Sequence, residues 1–114
     1  MDAQQETALS AQELAELLEA LMRVRRENEE DLAQARAALE TLTQDHALSS
    51  ASLREVAGNA EYMIDDATTI ISHIDRALER MDRGDYGICE RCAKPILFER
   101  LQLRPYATTC VPCS

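Results

Sequence analysis

The residues of this chain best suited to chemistry are Cys89-Glu90-Arg91-Cys92 and Cys110-Val111-Pro112-Cys113. They hold all four cysteines, as two C-x2-C pairs with seventeen residues between the pairs. A two-residue spacer lets one tight knuckle present two sulfurs to one ion, and Zn²⁺ favours a tetrahedron of thiolates. Seventeen residues is within the spacing that returns a second knuckle to the same metal. Two other readings of the pattern are weaker. A redox C-x-x-C motif wants a βαβ context, which neither pair shows. Disulfides want an oxidising compartment, and Met1-Asp2-Ala3-Gln4-Gln5-Glu6 has neither the basic nor the apolar region of a secretory leader. The expectation is therefore one structural Zn²⁺ on Cys89, Cys92, Cys110 and Cys113. With every coordination position filled by protein, no place is left for a reactive water, so the metal is not catalytic. Its binding energy closes a fold that about 30 residues cannot hold by burial alone.

The element that must position these knuckles is helical. Ala, Leu, Glu and Arg dominate residues 1–83, the composition of long helix. After a polar, frayed tail over 1–9, Ser10-Ala11-Gln12-Glu13 reads as a capping box, with Leu9 and Leu14 at the staple positions. A heptad seam follows through Leu14, Leu18, Leu21, Arg25, Asn28, Leu32, Ala35, Leu39 and Leu42. It stops in the polar stretch 43–52 and resumes after a second capping box, Ser52 to Glu55. The second seam runs through Leu53, Val56, Ala60, Met63, Ala67, Ile70, Ile74, Ala77 and Met81. Paired positions in the two seams have numbers summing to 95, a mirror centred between Ala47 and Leu48. A helix folded back on itself meets all these pairings at once, whereas a parallel dimer leaves the mirror unexplained. A second stripe, Leu17 with Leu78 and Val24 with Ile71, exists only near the helix ends, where the cysteine module or the N-terminal segment is expected to pack. The stem of Arg25 is expected to lie on the seam with its guanidinium outside. Gly84 suits the C′ position of the second helix, with Arg80 and Arg83 facing the negative end of the dipole.

The fold class expected is all-α: a long antiparallel coiled-coil hairpin over 10–83, then a four-cysteine module over 84–114. Within the module, Pro95 suits the first turn of a short helix, with Ile96, Leu97, Phe98 and Leu101 covering the metal. The chain carries a net charge of −9, unevenly spread. Residues 1–83 hold eighteen acidic against eight basic side chains, whereas 84–114 hold three against four. An acidic rod does not track a phosphate backbone, so direct sequence-specific DNA binding is not expected. A basic protein surface is the better match. No apolar run reaches membrane-spanning length, and the expectation is a soluble, cytoplasmic, monomeric protein. There is no Gly-rich phosphate loop, no nucleophile–base pairing and no core large enough for a substrate pocket, so an enzyme is not expected. Glu27, Glu29, Glu30, Asp31, Glu61, Asp65 and Asp66 read as a solvated acidic face, and His73 as an edge residue.

Asp85-Tyr86-Gly87-x-Cys89-x2-Cys92, Pro95-Ile96, Glu99-Arg100-Leu101, Arg104-Pro105 and Cys110-x2-Cys113 resemble the DksA/TraR family of bacterial proteins. The resemblance is close over 85–113, and the hairpin before it matches the DksA subgroup in architecture. It implies a transcription regulator that binds RNA polymerase rather than DNA, inserts its hairpin into the secondary channel and often acts with ppGpp. It also implies that the zinc module is a structural brace. The family's acidic tip, Asp-x-x-Asp-x-Ala, is altered here: the tip reads Thr43 to Ala51, without the paired aspartates. Asp45, His46, Ser49, Ser50 and Ala51 are the partner-contact candidates. The altered tip keeps a second reading open, a zinc-braced hairpin that docks to a different basic partner with no effect on the polymerase active site.

Overall fold

The computed structural model describes residues 9–44 and 50–113. Its elements are α1 (Ala11–Gln44), α2 (Ser50–Arg83), α3 (Phe98–Leu103) and a 3₁₀ turn at Val111–Cys113. Among the described residues there is no strand, only a lone antiparallel bridge between Ile88 and Pro95. The two long helices form the antiparallel hairpin, and the cysteine module follows it. Among the described residues no helix is long and apolar enough to cross a membrane. Packing divides the described chain into two compact units. One is Arg25–Ser72; the other joins the residues up to Val24 with those from His73 onward.

The start of α1 is set by reciprocal capping. Glu13 N–H donates to Ser10 Oγ at 3.0 Å, and Ser10 N–H donates to Glu13 Oε1 at 2.9 Å, which satisfies two donors that a helix start otherwise leaves open. The expected second box does not mark the start of α2. That helix already begins at Ser50, so Ser52 lies inside its first turn. Likewise α1 runs on to Gln44, past the expected end of the seam. A Ser or Thr is a neutral occupant of an exposed helical position, so hydroxyl-rich sequence alone does not break a helix.

In the Arg25–Ser72 unit the most buried positions are alanines: Ala35, Ala60 and Ala67. Leu32, Leu39, Leu42, Leu53 and Ile64 are half-buried around them. Val56 and Met63, expected in the seam, are 41% and 42% exposed, while Ala57 and Ile64 beside them are more covered. Small residues at the centre of a helix pair leave room only for a narrow buried strip, and larger neighbours fall on its rim. Arg25 is half-buried and its Nη1 pairs with Glu29 Oε2 at 2.5 Å, one turn on, as the snorkelling argument requires.

The other unit has the larger core: Leu17, Leu21, Ile74 and Ala77 from the long helices, with Tyr86, Ile96, Leu101 and Ala107 from the module. Leu17, from the second stripe, is buried, whereas its seam neighbour Leu18 is 43% exposed. The contact face has turned toward the second stripe because the module's apolar residues lie in the same unit. The N-terminal segment takes part as well. A Cβ on Gly87, whose φ is +84°, would stand 2.9 Å from Leu9 Cδ1. Glycine takes that backbone without strain and leaves Leu9 its place.

Ala60→Leu overfills the narrow strip and should destabilise the Arg25–Ser72 unit by about 1–3 kcal/mol. Asn59→Leu, on the exposed face, should change it by less than about 0.5 kcal/mol. Hydrogen exchange across 25–72 checks this, and equal effects would contradict the helix pairing.

Candidate metal centre

The end of α2 delivers the chain into the first knuckle. Gly84 takes φ +86°. Its N–H donates to Met81 O at 3.2 Å, and Asp85 N–H donates to Arg80 O at 3.0 Å. This is a Schellman end with glycine at C′, as the sequence indicates. The knuckle itself is a tight reversal. Ala93 N–H donates to Cys89 O, Cys89 N–H donates to Lys94 O, and Arg91 N–H points at Cys89 Sγ at 3.4 Å. Ala93 holds φ +63°, a left-handed conformation that a residue with a Cβ adopts under strain.

Pro95 does not open a helix. It bridges Ile88 in extended backbone, and α3 starts at Phe98 behind an N-cap at Leu97. A proline has no N–H to give, and its fixed φ suits an extended edge as well as a first helical turn. Ile96 and Leu101 are buried as expected, but Leu97 is 69% exposed, on the rim of a cavity it lines with Cys110 and Val111. The second knuckle is the 3₁₀ turn, in which Cys113 N–H donates to Cys110 O at 3.1 Å. Three bonds hold it beside the first. Glu90 N–H donates to Thr108 O at 2.9 Å, Arg100 Nε donates to Thr109 O at 2.8 Å, and the buried Tyr86 hydroxyl donates to Pro105 O at 2.8 Å. Burial pushes the Tyr86 phenol well above its usual range, so it stays a donor.

The result is a cluster of the four cysteine sulfurs, all within 4.8 Å of one another. The Cys92 and Cys110 sulfurs are 3.6 Å apart. Zn–S bonds of about 2.3 Å in a tetrahedron place sulfurs about 3.8 Å apart. The donor set and the spacing therefore fit one Zn²⁺. As bare thiols the four groups do not titrate alike. Burial opposes charge on Cys89, but hydrogen bonds from the backbones of Cys110, Cys92 and Arg91 outweigh it and bring the thiol down to about 6. Cys113 is pushed up to about 12, first by the hydrogen bond it shares with Cys110 and then by burial. A packed set of thiols resists full ionisation until a cation enters.

Of the tip candidates, Asp45, His46 and Ser49 lie outside the described residues. Ser50 is the first residue of α2, and Ala51 is exposed in its first turn. One feature escaped the sequence reading. His73, Arg76, Arg100, Arg104, Tyr106 and Thr108 line a cleft of about 210 Å³. His73 is exposed, as an edge residue is expected to be, and its ring lies 5.7 Å from that of Tyr106, which also carries the Arg104 guanidinium 5.9 Å from its centroid. Its lining comes from α2, α3 and the segment after α3, so no local motif announces it.

A helical hairpin carrying a four-cysteine zinc module is the class these features define. Residues 84–113 match the prokaryotic dksA/traR C4-type zinc finger. Sequence relatives match over short stretches. The RNA polymerase-binding transcription factor DksA of Caulobacter vibrioides is 50% identical over 42 residues, 37% of this chain and 30% of that protein. General stress protein 16O of Bacillus subtilis is 42% identical over 38 residues, 33% of this chain and 23% of that protein. These alignments thus span less than a third of the curated relatives. The fold likeness is longer. The structure of transcription factor DksA2 from Pseudomonas aeruginosa superposes with a TM-score of 0.84 and 29% identity, covering 99% of this chain and 86% of that one. Residues 84–113 thus carry a dksA/traR C4-type zinc finger, and zinc is its cofactor.

Cys92→Ser should take bound zinc from one per chain to near none. It should remove amide protection over 84–113 while leaving most of α1 and α2 helical. Metal analysis and hydrogen exchange read both; a variant that keeps one zinc excludes Cys92 as a ligand.

Proposed function

We propose that this protein is a transcription regulator that binds RNA polymerase, acting as a monomer in the cytoplasm without contacting DNA bases. The observation that carries this reading is the likeness to DksA2 over nearly the whole chain, hairpin and zinc finger together. Charge agrees with it, since eighteen acidic against eight basic residues over 1–83 suit a basic protein channel better than a phosphate backbone. In this reading the hairpin enters the secondary channel, and Asp45, His46, Ser49, Ser50 and Ala51 face the polymerase from its tip. Without the family's paired aspartates, the tip's output at the active site differs from that of DksA. The Zn²⁺, on Cys89, Cys92, Cys110 and Cys113, supplies no chemistry beyond cross-linking the two knuckles. The cleft between His73, Arg100 and Arg104 has the charge and donors to hold phosphates, and we assign it to ppGpp at the polymerase interface.

The test is binding of the zinc-loaded protein to purified core RNA polymerase, with a known secondary-channel factor as competitor. Saturable binding that the competitor displaces is expected, with ppGpp tightening it for the wild type and not for Arg104→Ala. Binding that the competitor leaves intact would move the hairpin to another surface, and no binding at micromolar concentration would overturn the polymerase assignment.

A further inference from the structure

The first knuckle is gripped from the helix side by two arginines that no zinc motif includes. Arg80, in the last turns of α2, is 8% exposed and is the one buried charged residue among those described. Its Nη2 donates to the carbonyl of Asp85 at 3.0 Å and to the carbonyl of Ile88. Its Nη1 stands 4.0 Å from Glu90 Oε1, and that same oxygen takes a bond from Arg76 Nη2, one turn earlier on α2. Arg80's own carbonyl accepts the N–H groups of Asp85 and Tyr86. The residues on both sides of Cys89 are thus fixed to α2, Ile88 through its carbonyl and Glu90 through its carboxylate. Glu90 passes the constraint on, because its N–H donates to Thr108 O, two residues before Cys110.

A thiolate binds a metal best when its backbone is already where the metal needs it, and groups behind the ligands commonly govern affinity. A guanidinium is the right group for this task. It stays charged when buried, its planar fork satisfies several oxygens at once, and its charge partly offsets four thiolates around one dication. Coupling between two binding events is also reciprocal: whatever Arg80 adds to zinc affinity, zinc adds to the stability of the contacts Arg80 makes.

We propose that Arg80, with Glu90 as its relay, is a positioning residue for the zinc site, and that zinc occupancy and the order of the last turns of α2 are coupled through it. This rests on the reading of the four cysteines as the ligands. Loss of the ion then loosens the helix end, and loss of the arginine weakens the ion.

The experiment compares wild type, Arg80→Met, Arg80→Lys and Glu90→Gln, with Arg83→Met as a control that touches only the exposed part of Asp85. Zinc affinity is read by chelator competition, the donor set by Co²⁺ absorption, and the helix by hydrogen exchange over 74–83 with and without zinc. Arg80→Met should bind zinc about tenfold to a hundredfold more weakly, keep the tetrathiolate Co²⁺ spectrum at saturation, and lose the zinc-dependent protection of 74–83. Arg80→Lys, which keeps a charged donor, should recover part of the affinity, Glu90→Gln should lose several-fold, and Arg83→Met should match the wild type. Wild-type affinity in Arg80→Met and Glu90→Gln, or undiminished zinc-dependent protection in Arg80→Met, would overturn the proposal. A wild-type Co²⁺ spectrum without the tetrathiolate pattern would instead overturn the ligand assignment beneath it.

Discussion

Four thiols within 4.8 Å of one another cannot all ionise without a cation among them, and the fold of residues 84–113 turns on that fact. The module has few apolar residues to bury. Tyr86, Ile96, Leu101 and Ala107 make a core that contains a single phenol and no indole. Its two knuckles are joined by a handful of backbone and side-chain bonds of modest net worth in water. The dication converts a repulsive cluster into the strongest cross-link the segment has. It also lets Ala93 keep a left-handed backbone that local preference resists.

The long helices act on the centre from outside it. The Schellman end of α2 aims the chain at Cys89, and the arginines of its last turns hold the residues on either side of that cysteine. Leu9, before α1, fills the space over Gly87 that any larger residue would occupy. The Arg25–Ser72 unit is built differently, around a narrow strip of alanines with half-buried leucines beside it. Buried alanines remove less apolar area from water than Leu21 and Ile74 do in the other unit, so the Arg25–Ser72 unit is expected to open more readily.

Much of this was legible in the residues because the signals are local. The C-x2-C spacing announced the metal, Ser10 with Glu13 the start of α1, and Gly84 the end of α2. The mirrored heptads announced a hairpin. What was hidden depended on tertiary context. Ser52 looked like a cap, yet the helix starts before it at Ser50. Pro95 looked like a helix start, but its ring fits the extended bridge to Ile88 equally well. A heptad list does not say which of two adjacent positions wins the interior. Leu17 displaced Leu18 there because the module shares the core of its unit, and Val56 and Met63 were left on the rim by the small residues beside them. The cationic cleft joins side chains from α2, α3 and beyond, and the role of Arg80 depends on carbonyls, which have no sequence signature.

The polymerase proposal rests on the zinc-finger match over 84–113 and on the fold likeness across 99% of this chain. All of it presupposes the metal. The most direct measurement is zinc-edge X-ray absorption on the purified protein at known metal stoichiometry. One zinc per chain with four sulfur neighbours at about 2.3 Å is the predicted result. A nitrogen or oxygen in the first shell, or fewer than four sulfurs, would contradict the account.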